Sequence, residues 1–354
     1  MGKSNIHTTL VPKYGVIWVF LVFFSLETID RLLSGDLILS AHEIQTKRDK
    51  IDFFYREVQS SQLFIAFFMK AVKKCIIAAA WYGTRMLPAS KAVPKEMITL
   101  VDKPVIQYLV EEAVSAGIEE IVIVLSRGKD MIVDHFDRSL ELEWVLERKG
   151  KLKELESVRS VSLGVKIAYV RQPEATWDGD ALLCARPFVG DEPCLVLFGD
   201  DLIIGERSGA QELVAAYQTY GSSVILTQTV GDDVVSSYGI VDIDNTNNLH
   251  RVTQFLEKPR PDETTSRQAV IGKYIITPAM WRYIELSGVS NGGEKRLADG
   301  FIRALSAQEE ITAIATKWVR YDTGSKLGYL QAVVDFALAR SDIGPAFGAW
   351  LKSK

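Results

Sequence analysis

Between Cys75 and Leu125 the chain reads strand, loop, helix, strand, an order that leaves few folds open. Cys75–Ala80 is an unbroken apolar run of strand length, the pattern of a strand buried on both faces. Pro104 opens a helix with Ile106, Leu109, Val110, Ala113 and Val114 on one side. Gly117 closes it, and the β-branched run Ile121–Leu125 comes next. Such a βαβ unit calls for a parallel sheet with helices packed on its faces. The loop after the first strand therefore leaves a strand's carboxyl end, the edge at which open α/β sheets bind ligands.

The alternation continues. Strands are expected at Val165–Val170, Cys194–Phe198, Ser223–Thr229 and Ala269–Thr277, and a charge-rich helical excursion at Ser139–Ser157. A last helix is expected over Lys326–Arg340, with Leu327, Leu330, Val334, Ala337 and Leu338 as its apolar stripe. No Pro- or Ser-rich linker interrupts residues 70–354, which read as one mixed α/β domain. The net charge of −4 gives no basic bias, so nucleic acid is not an expected partner and any phosphate must be held by local cations. Cys75, Cys184 and Cys194 sit in or beside apolar runs without metal-ligand spacing, as buried reduced thiols of a cytoplasmic protein do. His7, His42, His135 and His250 are scattered, which argues against a zinc site or a histidine-activated nucleophile.

Residues 1–69 differ in character from residues 70–354. Tyr14–Leu26 is uncharged but shorter than the ~20 residues a spanning helix needs. Lys3 and Lys13 precede it, as in a secretory signal, yet no small-x-small cleavage site comes after it. A second apolar patch ends at Met69, and Met69-Lys-Ala-Val-Lys-Lys74 reads as a fresh start leading into the first strand. An extension lying outside the main domain is the preferred reading; an anchor associating weakly with a membrane through residues 14–26, or a helix docked on the domain, are the others. For an anchor, Arg31, Lys47, Arg48 and Lys50 would keep the main domain in the cytoplasm.

The loop itself, Ala78–Met97, offers Gly83 for close backbone approach and Arg85, Lys91 and Lys95 as cations, the parts needed to hold a polyphosphate. It has neither the Lys-Ser/Thr of a P-loop nor the three spaced glycines of a dinucleotide fold. With Gly83-Thr-Arg85, Leu87-Pro88 and Pro94-Lys-Glu-Met97 in order, it resembles the sugar-1-phosphate nucleotidyltransferases, in particular the bacterial UTP–glucose-1-phosphate uridylyltransferases. Further segments are similar in the same order: Val101–Tyr108, Arg171-Gln172, Gly199-Asp-Asp201, Tyr238-Gly-Ile-Val241, Glu257-Lys-Pro259 and Asp322–Tyr329.

The resemblance implies a Rossmann-like α/β fold: a mixed, mostly parallel sheet with helices on both faces. It implies the Mg2+-dependent conversion of UTP and glucose 1-phosphate to UDP-glucose and pyrophosphate. Carried over residue by residue, Arg85 and Lys95 match the cations on the triphosphate, while Ala80, Gly83, Thr84, Gln172 and Gly179 match nucleotide-binding positions. Asp200 and Asp322 match the metal-holding carboxylates. Gly239 and Glu257 match the sugar site, and Lys258 the cation on the sugar phosphate. Asp201 reads as a supporting residue, and a homo-oligomer is the expected assembly.

Three positions depart from the pattern. Trp81 stands for the first glycine of Gly-x-Gly, Trp177 for a glycine two residues before Gly179, and Lys295 for an apolar residue. Both glycines border the base in the family, and an indole there is strained if the backbone φ is positive. Three outcomes are open: the indoles turn outward, they fill the base site, or they stack on a base and alter nucleotide preference. Correspondingly, two alternatives accompany uridylyl transfer: an impaired relative that binds a sugar phosphate or a partner, and a transferase of altered nucleotide or sugar preference.

Overall fold

Successive side chains of the first strand enter two different cores: Cys75, Ile77 and Ala79 pack on one face of the sheet, Ile76 on the other. This two-sided burial is what the unbroken apolar run at Cys75–Ala80 requires. The computed structural model describes residues 69–162, 164–174, 177–246, 249–288 and 295–354. The expectations placed on residues 1–68, including the apolar run Tyr14–Leu26, lie outside the described residues.

The strands are β1 (Lys74–Ala79), β2 (Thr99–Leu100), β3 (Lys103–Pro104), β4 (Glu120–Leu125), β5 (Lys166–Arg171), β6 (Cys194–Phe198), β7 (Asp201–Ile204), β8 (Ser223–Thr229), β9 (Gly239–Asp244), β10 (Arg251–Glu257), β11 (Gln268–Ile276), β12 (Ile311–Ala315) and β13 (Val319–Asp322). The helices are α1 (Val105–Ser115), α2 (Asp130–Phe136), α3 (Leu140–Arg148), α4 (Leu152–Arg159), α5 (Asp178–Val189), α6 (Gly209–Tyr220), α7 (Pro278–Leu286), α8 (Leu297–Ser306), α9 (Lys326–Ala339) and α10 (Gly344–Lys352).

One sheet runs in the order β5-β4-β1-β6-β11-β8-β12-β10-β9. Its β11 and β10 oppose the other strands, so the sheet is mixed and mostly parallel. Register is in step around β1, with Cys75 opposite Ile121 on one side and Leu195 on the other. Helices α1, α2, α6 and α9 cover one face, and α5, α7 and α8 the other. The expected Rossmann-like α/β architecture is therefore present. No helix among the described residues is long and apolar enough to cross a membrane.

The expected apolar stripe of the last helix holds at Ala337, which is buried, and at half-buried Val334, but not at its leucines. Leu327, Leu330 and Leu338 are exposed; Tyr329, Ala332, Val333 and Phe336 face the core instead. Apolar residues surround this helix, so spacing alone cannot choose a face. The choice is made by Phe336, which meets Tyr108 and Tyr321 edge-on, and by Tyr329, whose hydroxyl donates to the Thr99 carbonyl at 3.0 Å. The charged excursion at Ser139–Ser157 is helical as expected, in two pieces, α3 and α4.

Candidate active site

Strand β1 lies between β4 and β6, so the chain leaves it toward one side and later returns on the other. At such a switch point the loops of neighbouring strands part and leave a crevice. Gly199 extends the β1–β6 ladder, its N–H donating to the Ala78 carbonyl at 3.1 Å, and so brings Asp200 beside the loop after β1. A Cβ on Gly199 would lie 2.8 Å from Glu96 Cγ, so the approach needs bare backbone.

Four expected residues converge in that crevice. Lys95 Nζ lies 2.5 Å from Asp200 Oδ2, and Arg85 Nη1 lies 2.9 Å from Asp322 Oδ2 with Nη2 3.6 Å from Asp200. Gly83, at φ 64°, makes room for the Lys95 stem; a Cβ there would sit 3.0 Å from Lys95 Cβ. Asp322 arrives because β13 pairs antiparallel with β7, opposite Asp201. Thr323 completes the join, its N–H and hydroxyl both donating to the Asp200 carbonyl at 2.8 Å. A side chain on Gly324 would collide with Asp200 Oδ2 and come within 2.8 Å of Arg85 Nη2.

The electrostatics arise from this crowding. Burial works against the charge of Lys95, but the Asp200 and Glu96 carboxylates outweigh it and hold the ammonium above its ordinary value. Burial likewise opposes ionisation of Asp200, and Lys95 with Arg85 prevails, holding it below the usual range. Asp322 is pushed up, by burial first and then by repulsion from Asp201 and Asp200. Carboxylates gathered against their mutual repulsion make a place that a cation stabilises.

Behind the loop lies a pair that sequence reasoning missed. Lys129 Nζ donates to both Glu96 oxygens at 2.9 and 2.8 Å and to the Trp81 carbonyl at 2.7 Å, and both side chains are buried. Burial pushes Glu96 up and Lys129 down. The only local hint was Glu96 itself, an acid inside a run of loop cations.

The residues expected at the sugar site form a second group. A Cβ on Gly239 would be 3.1 Å from Glu257 Oε2, and Lys258 Nζ is 3.9 Å from Glu257 Oε1. Lys258 adopts φ 49°, a left-handed conformation unusual for lysine, and its N–H donates to the Tyr238 carbonyl at 3.1 Å. Strained backbone of this kind concentrates where function imposes it. Burial raises the Glu257 carboxyl.

Gln172, Ala80 and Gly179 are buried, whereas Thr84 and Lys91 are exposed. The Gln172 amide donates to the Trp177 carbonyl at 3.2 Å and to Asp180 Oδ2 at 2.8 Å. Gly179 donates to the Lys295 carbonyl at 3.1 Å, and a Cβ there would stand 2.8 Å from that oxygen. Lys295 thus contributes backbone, while its ammonium donates to the Glu285 carbonyl at 3.0 Å. Asp178 Oδ1 clasps the same segment, accepting from Gly179 and Leu297 N–H at 2.8 and 2.9 Å.

Neither tryptophan is strained. Trp177 is extended, at φ 176°, and Trp81 is not among the left-handed non-glycine residues. Their indoles keep different company: Trp81 meets Phe198 edge-on at 5.2 Å with Lys95 Nζ 5.5 Å from its ring, and Trp177 lies 5.2 Å from the Arg296 guanidinium.

The family model described as "Nucleotidyl transferase" matches residues 74–337. The chain is 44% identical over 276 residues to UTP–glucose-1-phosphate uridylyltransferase of Bacillus subtilis (strain 168), which spans 78% of this chain and 94% of that protein. Among solved structures, a UTP-bound UGPase from Acinetobacter baumannii superposes with a TM-score of 0.73 at 34% identity, covering 79% of this chain and 98% of that one. A UDP-glucose pyrophosphorylase complexed with UDP-glucose gives a TM-score of 0.68 at 34% identity, over 76% and 100% of the two chains.

Proposed function

This chain belongs to the nucleotidyl transferase family, and we propose that it joins UTP to glucose 1-phosphate, forming UDP-glucose and releasing pyrophosphate. The observation that carries this reading is the convergence of Arg85, Lys95, Asp200 and Asp322 at the β1/β6 switch point. A phosphate oxygen of glucose 1-phosphate attacks the α-phosphorus of UTP in line. The bond to the bridging oxygen breaks, and its electron pair leaves with pyrophosphate. The attacking group is already an anion, so alignment and charge neutralisation are what the protein must supply. Arg85 and Lys95 offset charge on the pyrophosphate side, Lys258 draws the sugar phosphate in, and Gly239 with Glu257 receives the sugar.

Nucleotidyltransferases of this family generally use a divalent metal. Asp200 and Asp322 fit Mg2+ in donor type, being hard carboxylate oxygens brought together over a glycine that leaves space between them. When bound, the ion would offset negative charge on the phosphates.

A second reading rests on Trp81, whose half-buried ring meets Phe198 edge-on and lies beside Lys95. It is a relative that keeps its sugar-phosphate residues while the indole fills the base site. Pyrophosphate release from UTP, glucose 1-phosphate and Mg2+ separates the two readings. Wild-type turnover close to that of the Trp81→Gly/Trp177→Gly double variant supports transfer and sinks the filled pocket. A silent wild type rescued by the double variant establishes the second reading.

A further inference from the structure

Two residues before Asp322 on the same strand, Arg320 faces the same way, since side chains alternate along a strand. It is almost wholly buried, and each part of its guanidinium is engaged. Nε and Nη2 meet Asp201 Oδ1 at 2.7 and 2.5 Å, while the other Asp201 oxygen accepts the Gly272 N–H at 2.9 Å. Nη1 donates to the Tyr238 hydroxyl at 3.2 Å, and the guanidinium carbon lies 5.1 Å from the Tyr238 ring centre. Tyr238 in turn leads into Gly239, and its carbonyl takes the N–H of Lys258. One planar group therefore joins the residue beside Asp200, the strand that carries Asp322, and Tyr238 at the entry to β9, next to Gly239. Lysine, a single point of charge, cannot span that fork.

We propose that Arg320 is a positioning residue that holds the sugar-phosphate loop in register with the Asp200/Asp322 pair. In-line transfer loses rate steeply when the two reactants are misplaced by about 1 Å, and the groups to be aligned come from separate places: Gly239 and Glu257 from the β9/β10 edge of the large sheet, Asp200 from the end of central β6, and Asp322 from β13 of a small separate sheet. The inference rests on the assignment of Gly239, Glu257 and Lys258 to the sugar phosphate.

The test varies each substrate in turn for Arg320→Lys, which keeps a charge opposite Asp201, and for Tyr238→Phe, which keeps the ring. For Arg320→Lys the KM for glucose 1-phosphate rises about tenfold and kcat falls, while the KM for UTP stays within about twofold. Tyr238→Phe moves the same constant in the same direction, and the double variant is no worse than Arg320→Lys, because both act through one contact. Amide exchange quickens over residues 238–241 and 255–259 and nowhere else. If both KM values rise together alongside a lowered melting temperature, Arg320 is merely structural and the proposal fails. It fails equally if sugar KM and exchange stay at wild-type values in both variants. Lys258→Ala separates the premise from the inference. An unchanged sugar KM in that variant removes the sugar-site assignment, whereas a raised one beside an unaffected Arg320→Lys refutes the positioning role alone. A wild type releasing no pyrophosphate removes the activity and this coupling with it.

Discussion

Removing Lys129 tests whether the phosphate loop is built from beneath. Its ammonium makes three contacts at once, to both oxygens of Glu96 and to the Trp81 carbonyl, all within 2.9 Å. Glu96 is fully buried, so Lys129→Met strands a carboxylate with no water to solvate it. Breaking a buried pair from one side costs about 3–5 kcal/mol. Glu96→Gln strands the ammonium instead and belongs at the lower end of that range, because the amide oxygen still accepts one bond. The double variant removes both charges and leaves only neutral groups, the Trp81 carbonyl and the amide at position 96, without the ammonium, an expected loss of about 1–3 kcal/mol. Urea unfolding of the four proteins gives the cycle directly. The pair is real if the double variant is more stable than Lys129→Met alone; losses that simply add, or a Lys129→Met cost under about 1 kcal/mol, would refute the reasoning. Kinetics supply the functional half. With the Trp81 carbonyl released, the KM for UTP rises in Lys129→Met while that for glucose 1-phosphate holds.

Asp200→Ala is expected to abolish pyrophosphate release, because Lys95 and Arg85 both converge on that carboxylate; Mg2+-dependent turnover surviving in the variant contradicts its assignment as a metal ligand. Asp178 gives a pH signature. Burial pushes its carboxyl up to about 6, above the roughly 3.9 of an unfolded chain. Between those values the folded chain holds a proton that the unfolded chain has released. This group's stabilising contribution is therefore complete below about pH 4 and lost as pH rises through about 6. Asp178→Asn keeps an oxygen for the Gly179 and Leu297 N–H groups and cannot titrate, so it flattens that slope in urea midpoints measured from pH 4 to 7; identical slopes in the two proteins contradict the shift.

Local order was largely legible in the sequence, and facing was not. Cys194–Phe198 and Ser223–Thr229 coincide with β6 and β8 residue for residue: the first is the unbroken apolar run of a buried strand, and the second has an apolar, mostly β-branched centre, Val224–Leu226, flanked by Ser223 and Thr227. The short pair β7 and β13 gave no such signal: each spans only four residues, Asp-Leu-Ile-Ile and Val-Arg-Tyr-Asp, too few for a period to show. Yet that pair delivers Asp322 to the site. On α9 the leucines at 327, 330 and 338 spelled a stripe that faces solvent, since tertiary contacts of Tyr329 and Phe336 decided the rotation. Charged partners were the least legible. Arg85 reaches Asp322 across 237 positions and Lys273 reaches Glu112 across 161, separations over which spacing carries no information.

The Trp81 position shows why a departure from pattern can coexist with an intact loop. Its glycine in the family could serve two needs, a backbone carbonyl in the right place and the absence of a side chain. The first is met here by any residue, because Lys129 binds the carbonyl alone, and the backbone is not left-handed, so no glycine is demanded by conformation. The second is surrendered, and the indole goes to Phe198 and Lys95. Loop architecture and side-chain volume at position 81 are therefore separable in this chain. A Trp81→Gly substitution changes the volume and leaves the Lys129 clamp in place, so it should alter nucleotide use without dissolving the Arg85–Lys95–Asp200–Asp322 cluster.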